Sequence, residues 1–227
     1  MFWHKAGMPA LSLPLYIDFG ATFLFAITGA MFAIRRHYDW VGLFVLALCS
    51  GLGGGLLRDG IFINDGAPAA MRHAGYLWSV IAGCIAAGFF HRHVGKLDRF
   101  FLYVDALGLG AYGVVGTTKA AVAGLSLPAA IFVGVVNAVG GSLIRDVLTN
   151  TEPFILKPGQ FYVVAAFAGC ASYVAATEWL HLPFSIAVWI AIGITFTART
   201  LSIVFNWKTA SILPRPMPEE DASDRSR

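Results

Sequence analysis

The chain has 227 residues, of which 57% are apolar and 13% charged, and its mean hydropathy is +0.69. A soluble domain carries about 25% charged residues, so this sequence lacks the polar surface that coats a water-soluble globule and reads as a membrane protein. Its net charge of +3 is too small to point to nucleic acid.

Taken in chain order, seven stretches approach the roughly 20 mostly apolar residues that cross a bilayer core: 15–34, 40–62, 74–91, 100–119, 127–148, 160–178 and 183–204. Residues 1–14 are expected to stay outside, and 205–227 to form a polar cytoplasmic tail that frays from Pro214 onward. No basic stretch, short apolar core and small-residue cleavage site open the chain as in a signal peptide, so the first apolar run is expected to remain as a helix. The breaks are chemically sensible. Arg35-Arg36-His37 closes the first run, His91-Arg92-His93 the third, and Leu127-Pro128 opens the fifth. Pro183 opens the seventh, where the missing amide proton costs nothing because first-turn amides lack partners. Cys49, Cys84 and Cys170 lie inside apolar runs, and an odd count there argues against a disulfide framework.

Orientation follows from lysine and arginine, which accumulate in cytoplasmic connections. With the N-terminus outside, the inner segments hold ten: Arg35, Arg36, Arg92, Lys96, Arg99, Lys157, Lys208, Arg215, Arg225 and Arg227. The outer segments hold three, Lys5, Arg72 and Lys119. The N-terminus is therefore expected outside and the C-terminus in the cytoplasm.

An internal repeat organises these runs. Residues 51–61 contain Gly53, Gly54, Arg58 and Asp59, and a shift of 87 places them on Gly140, Gly141, Arg145 and Asp146. The same shift carries Asp18 to Asp105 and Gly29 to Gly116; after a one-residue gap, Ala82-Gly83-Cys84 falls on Ala168-Gly169-Cys170. Arg-Asp recurring at one offset inside apolar helices is not a chance match. Each unit holds three spans, 15–91 and 100–178, so the second enters the bilayer inverted, and the helix at 183–204 stands outside the repeat. The fold expected is all-α and polytopic, with seven transmembrane helices as an inverted 3+3 repeat plus one. Such repeats place their site near the midplane, on interrupted helices.

The glycine runs Gly53-Gly54-Gly55 and Gly140-Gly141-Ser142 lie near mid-span. Glycine lowers the cost of unwinding, and freed carbonyls at that depth must face protein or a water-filled cavity. Two facing breaks would line a passage with carbonyls, which can replace a cation's hydration shell; close helix packing on small residues is the alternative. Charges inside spans mark pathways or pairs. Neighbours on a regular helix point to different faces, so Arg58 and Asp59 are not expected to pair. Depth suggests instead Asp18 with Arg58 and Asp105 with Arg145 as braces, leaving Asp59 and Asp146 to attract cations at two pore mouths. Lys119 ends the fourth span as a gating cation or a snorkelling one; for Arg199, in the seventh, snorkelling is the expectation. No metal site or cofactor is expected, and His91-Arg92-His93 does not make one.

Two Gly-Gly-x-x-x-Arg-Asp segments, in the second and fifth of seven spans, resemble the prokaryotic branch of the trimeric intracellular cation (TRIC) channel family. The likeness extends over about 15–204. It implies a homotrimer in the prokaryotic inner membrane, in contact with its lipids, with a pore in every protomer that passes potassium and, less selectively, sodium. In that family the pore runs between the kinked second and fifth helices, here the segments with Gly53-Gly54-Gly55 and Gly140-Gly141-Ser142. Animal members carry Lys-Glu-Val at the second-helix break, used in lipid and pore contacts; glycines stand there in this chain, so animal lipid regulation does not transfer. A fourth-helix lysine implicated in voltage gating has Lys119 as its nearest counterpart. The rival is a secondary transporter of a small solute, because inverted repeats with broken helices are equally typical of carriers and some members of this group bear a glycine-transporter label. An enzyme is disfavoured, since no in-span histidine, carboxylate pair or activated serine forms a catalytic constellation.

Overall fold

The computed structural model describes residues 15–64, 66–90, 98–156 and 161–207. The expectations for residues 1–14, for His91-Arg92-His93 and for the tail beyond 207 lie outside the described residues.

Eight α-helices and no strands are present among the described residues. They are α1 (Leu15–Arg35), α2 (Trp40–Leu57), the single turn α3 (Ala69–Arg72), α4 (Gly75–Phe90), α5 (Asp98–Val122), α6 (Leu127–Leu148), α7 (Tyr162–Val174) and α8 (Phe184–Val204). π-helical turns extend α2 through Arg58–Ile63 and α7 through Ala175–Trp179. Among the described residues, five helices are long and apolar enough to cross a membrane: α1, α2 with its π turns, α5 from Phe100, α6 and α8. The third and sixth expected spans are shorter. With 16 residues, α4 reaches about 24 Å, and α7 needs its π turns to approach the same length.

Local chemistry explains the ends. After α1 the chain reverses through His37 at φ 54°, and the Asp39 carboxylate accepts the Gly42 amide at 2.7 Å to cap α2. Pro128 lies in the first turn of α6, and Pro183 occupies the N-cap of α8. Gly124, at φ 86°, ends the turn after α5.

The bundle is organised around α1 and α5, which pack on each other. Helix α1 also takes α2 and α4; α5 takes α6, α7 and α8; and α2 crosses α6. Apolar residues sort into two main clusters. One centres on Phe25, Leu109, Tyr112, Tyr173 and Val188, the other on Met31, Leu43, Leu46, Tyr76 and Val80. Phe25 and Tyr112, related by the 87-residue shift, stack with ring centres 5.3 Å apart. The outer surface is apolar, and Trp40, Trp78, Trp179 and Tyr16 stand exposed near helix ends, as aromatics do at a membrane interface. Cys49, Cys84 and Cys170 are free thiols.

Candidate functional site

The glycine runs sit where α2 crosses α6, and their role differs from the expectation. Both helices stay α-helical through Gly53-Gly54-Gly55 and Gly140-Gly141-Ser142; there is no unwound break with freed carbonyls. A Cβ on Gly54 would stand 2.0 Å from the Asn137 carbonyl oxygen, and one on Gly141 would stand 2.0 Å from that of Ser50. Gly53 and Gly140 approach the same crossing, with a Cβ on either within 3.3 Å of a Gly141 or Gly54 Cα. Gly55 is looser: the Arg58 guanidinium is its nearest neighbour, at 3.7 Å. The glycines admit backbone against backbone, and keeping the intrahelical hydrogen bonds costs less than exposing carbonyls at this depth. The local irregularity falls one turn later, in the π turns after Leu57. Ser142 is buried and donates to the Val139 carbonyl of its own helix at 2.8 Å.

Two charged layers flank this crossing. In the first, Arg58 is 1% exposed and grips its neighbour Asp59 with two bonds, Nε to Oδ1 at 2.6 Å and Nη2 to Oδ2 at 2.9 Å. Its Nη1 donates to Asn137 Oδ1 at 3.3 Å, across the crossing. The Ala69 amide of α3 also donates to Asp59. Asp18, 2% exposed, accepts the Tyr76 hydroxyl and the Lys119 ammonium, the latter at 2.8 Å. In the second layer Arg145 pairs with Asp146 at 2.8 Å and lies over Phe32 at 5.0 Å.

The pairing therefore departs from the expectation. Asp18 pairs with Lys119, and Asp105 lines the same cavity as Arg145. Each arginine nevertheless takes the aspartate next to it in sequence. A seven-atom arginine side chain curls back over its helix, and its planar fork binds one carboxylate with two donors. Asp59 and Asp146 are thereby neutralised locally instead of standing as open cation attractors. Lys119 is 19% exposed and holds Asp18; it does not snorkel to the interface.

A cavity of about 400 Å³ opens beside the second layer, bordered by Arg35, Asp105, Arg145, Asp146, Glu152 and Arg199 among others. Tyr162, at one wall, stacks beneath Arg199 with 5.0 Å from guanidinium to ring centre. Between the layers lies neutral polar chemistry. The Tyr112 hydroxyl meets Thr22 at 2.7 Å and the Gly51 carbonyl, while Asn137 donates to the Tyr112 carbonyl at 2.6 Å. No group of three or more His, Cys, Asp or Glu suited to a metal occurs among the described residues.

Sequence reasoning missed Tyr76, Tyr112, Asn137 and Tyr162, and its expectation that Arg199 snorkels is overturned, since Arg199 is buried. A signal existed for most. Tyr76 and Tyr162 are related by the gapped repeat shift, and Ser50 and Asn137 by the shift of 87. Arg199 had none beyond being a cation within an apolar helix, and it is 1% exposed.

An all-helical bundle with an apolar exterior and ion pairs in its interior defines a polytopic membrane protein. The family model described as glycine transporter matches residues 15–92 and 102–178. The chain is 30% identical over 169 residues to a UPF0126 membrane protein of Deinococcus radiodurans, covering 74% of this chain and 76% of the relative. It is 28% identical over 197 residues to the UPF0126 inner membrane protein YadS of Escherichia coli, covering 86% and 94%. Among solved structures, the TRIC trimeric intracellular cation channel orthologue from Rhodobacter sphaeroides superposes with a TM-score of 0.79 at 27% identity, over 87% of this chain and all of that one. The chain belongs to the TRIC family, in the prokaryotic group whose model carries the glycine-transporter description.

Proposed function

We propose that the protein is a channel for monovalent cations, permeable to potassium and less selectively to sodium, with a pathway in each protomer of a homotrimer. The observations that carry this reading are the Asp18–Lys119 ion pair, with Asp18 at 2% exposure, and a charged cavity of about 400 Å³. A bundle that needed only stability would gain little from desolvating such charges, whereas charges at membrane depth mark ion pathways. The pathway runs beside the α2–α6 crossing, not through it. It leads from the cavity at Asp105, past the Tyr112, Thr22 and Asn137 polar groups, to Asp18. Asp18 Oδ1 accepts no hydrogen bond from the described residues, which leaves one carboxylate oxygen to a passing cation. With Lys119 on Asp18, that end is shut, and withdrawal of the ammonium opens it.

The likeness to solved TRIC cation channels supports this reading, as does the matching use of shift-related residues. Gly54 against Asn137 mirrors Gly141 against Ser50, and Tyr76 beside Asp18 mirrors Tyr162 lining the cavity with Asp105. These correspondences suit seven spans built as two inverted units, 15–91 and 100–178, with α8 outside them. The N-terminus would lie outside and the C-terminus in the cytoplasm of the prokaryotic inner membrane, which turns the cavity toward the cytoplasm. The test is single-channel recording of the purified protein in a planar bilayer under a potassium chloride gradient. Discrete openings reversing toward the potassium equilibrium potential are expected.

One observation favours a second reading. The cavity offers arginines and carboxylates together, the groups needed for the two ends of a zwitterion such as glycine. A carrier would give saturable glycine uptake into liposomes and no unitary current.

A further inference from the structure

Helix α8 has no counterpart in the repeat, yet it delivers one charge to the interior. Arg199 is 1% exposed, rests on the Tyr162 ring at 5.0 Å, and shares the cavity wall with Asp105. The shift that carries Asp18 to Asp105 therefore carries a carboxylate facing Lys119 to a carboxylate facing Arg199, with the base supplied by α5 in one layer and by α8 in the other. The two bases differ physically. Lysine is a point charge on a flexible stem, and Lys119 is 19% exposed. A planar guanidinium stacked on an aromatic ring and buried is held in place.

The basic and acidic side chains lining the cavity are equal in number. Arg35, Arg145 and Arg199 face Asp105, Asp146 and Glu152. Removing one base would leave a net negative cleft, and such clefts concentrate counter-ions. We propose that Arg199 is the fixed counter-charge that limits cation occupancy of this cavity and so tunes conduction from that side, while Lys119 opens and closes the opposite end. The proposal rests on the channel reading above.

The test is current–voltage recording of the full-length protein in planar bilayers. Arg199→Gln is expected to raise cation current entering from the cavity side by about two- to tenfold, with a smaller change in the opposite direction, so that the current–voltage relation becomes asymmetric. Arg199→Lys, which keeps the charge, should rescue the original relation. Asp105→Asn should lower the same current, and this variant carries the test if Arg199→Gln fails to fold. Three results would overturn the proposal: an unchanged relation in a folded Arg199→Gln protein, an Arg199→Lys protein altered as much as Arg199→Gln, or no fall with Asp105→Asn. No cation current from the unsubstituted protein would remove the channel reading and this inference together; current in that protein with unresponsive variants removes this inference alone.

Discussion

Which member of an ion pair is removed matters more than whether the pair is broken. Asp18 is 2% exposed and Lys119 19%. Lys119→Met leaves a carboxylate at 2% exposure without its cation, at a cost of about 3 kcal/mol. Asp18→Asn leaves a lysine that can turn outward along its flexible stem, at about 1 kcal/mol. Thermal unfolding of both variants in one detergent should show the larger loss for Lys119→Met, and the reverse order would contradict this geometry. The Arg-Asp motifs repeat the logic. Asp59→Asn leaves Arg58 at 1% exposure, whereas Asp146→Asn leaves Arg145 at 12%. The first should therefore cost about 3 kcal/mol and the second less than half as much, measured in the same way. Asn137 ties Arg58 down, while Ser50, its shift-related counterpart, is too short to do so for Arg145.

At the scale of elements, the α2–α6 crossing carries the strictest steric demand. Gly54→Ala or Gly141→Ala places a methyl 2.0 Å from a backbone carbonyl oxygen of the opposing helix. A backbone atom cannot rotate away, so the helices must separate, at about 1–3 kcal/mol or more. Gly60→Ala in the π turns meets nothing within 4 Å and should be neutral. Melting temperatures of the three proteins check this. Equal behaviour would mean that the crossing is looser than described. Because Arg58 reaches Asn137 across this crossing, separation of α2 from α6 should disturb Arg58 before it disturbs the helices themselves.

For the whole molecule, the described helices turn large apolar side chains outward while Asp18, Arg58, Asp146 and Arg199 are buried, which is the arrangement a bilayer imposes because lipid cannot solvate an ion. The homotrimer is checked by light scattering in detergent, where the protein part should weigh three times the 24.3 kDa chain. Monomeric mass in a preparation that conducts would contradict the assembly and leave the protomer pathway standing. Orientation is checked separately. A fluorescent protein joined to the C-terminus should fold and fluoresce in the cytoplasm, whereas fluorescence lost at the C-terminus and gained at the N-terminus would invert the assignment and turn the cavity outward.

The helical membrane class and the places where helices start and stop are written in local chemistry: apolar runs near bilayer length, Asp39 as a cap, Pro128 in a first turn and Pro183 at an N-cap. The recurrence of Gly-Gly-x-x-x-Arg-Asp singled out the α2–α6 region before any coordinate did. What those residues do there is a matter of neighbours. A glycine run is equally consistent with an unwound helix and with two helices in contact, and the opposing carbonyls of Asn137 and Ser50 decide for contact. A charged residue declares its sign and approximate depth, but its partner depends on side-chain reach. Arg58 thus takes Asp59, while Asp18 goes to Lys119 from a distant helix. Arg199 shows the same limit: a cation near the end of an apolar helix can snorkel to the interface or turn inward, and only the packing of α8 on α5 and α7 puts it in the cavity wall.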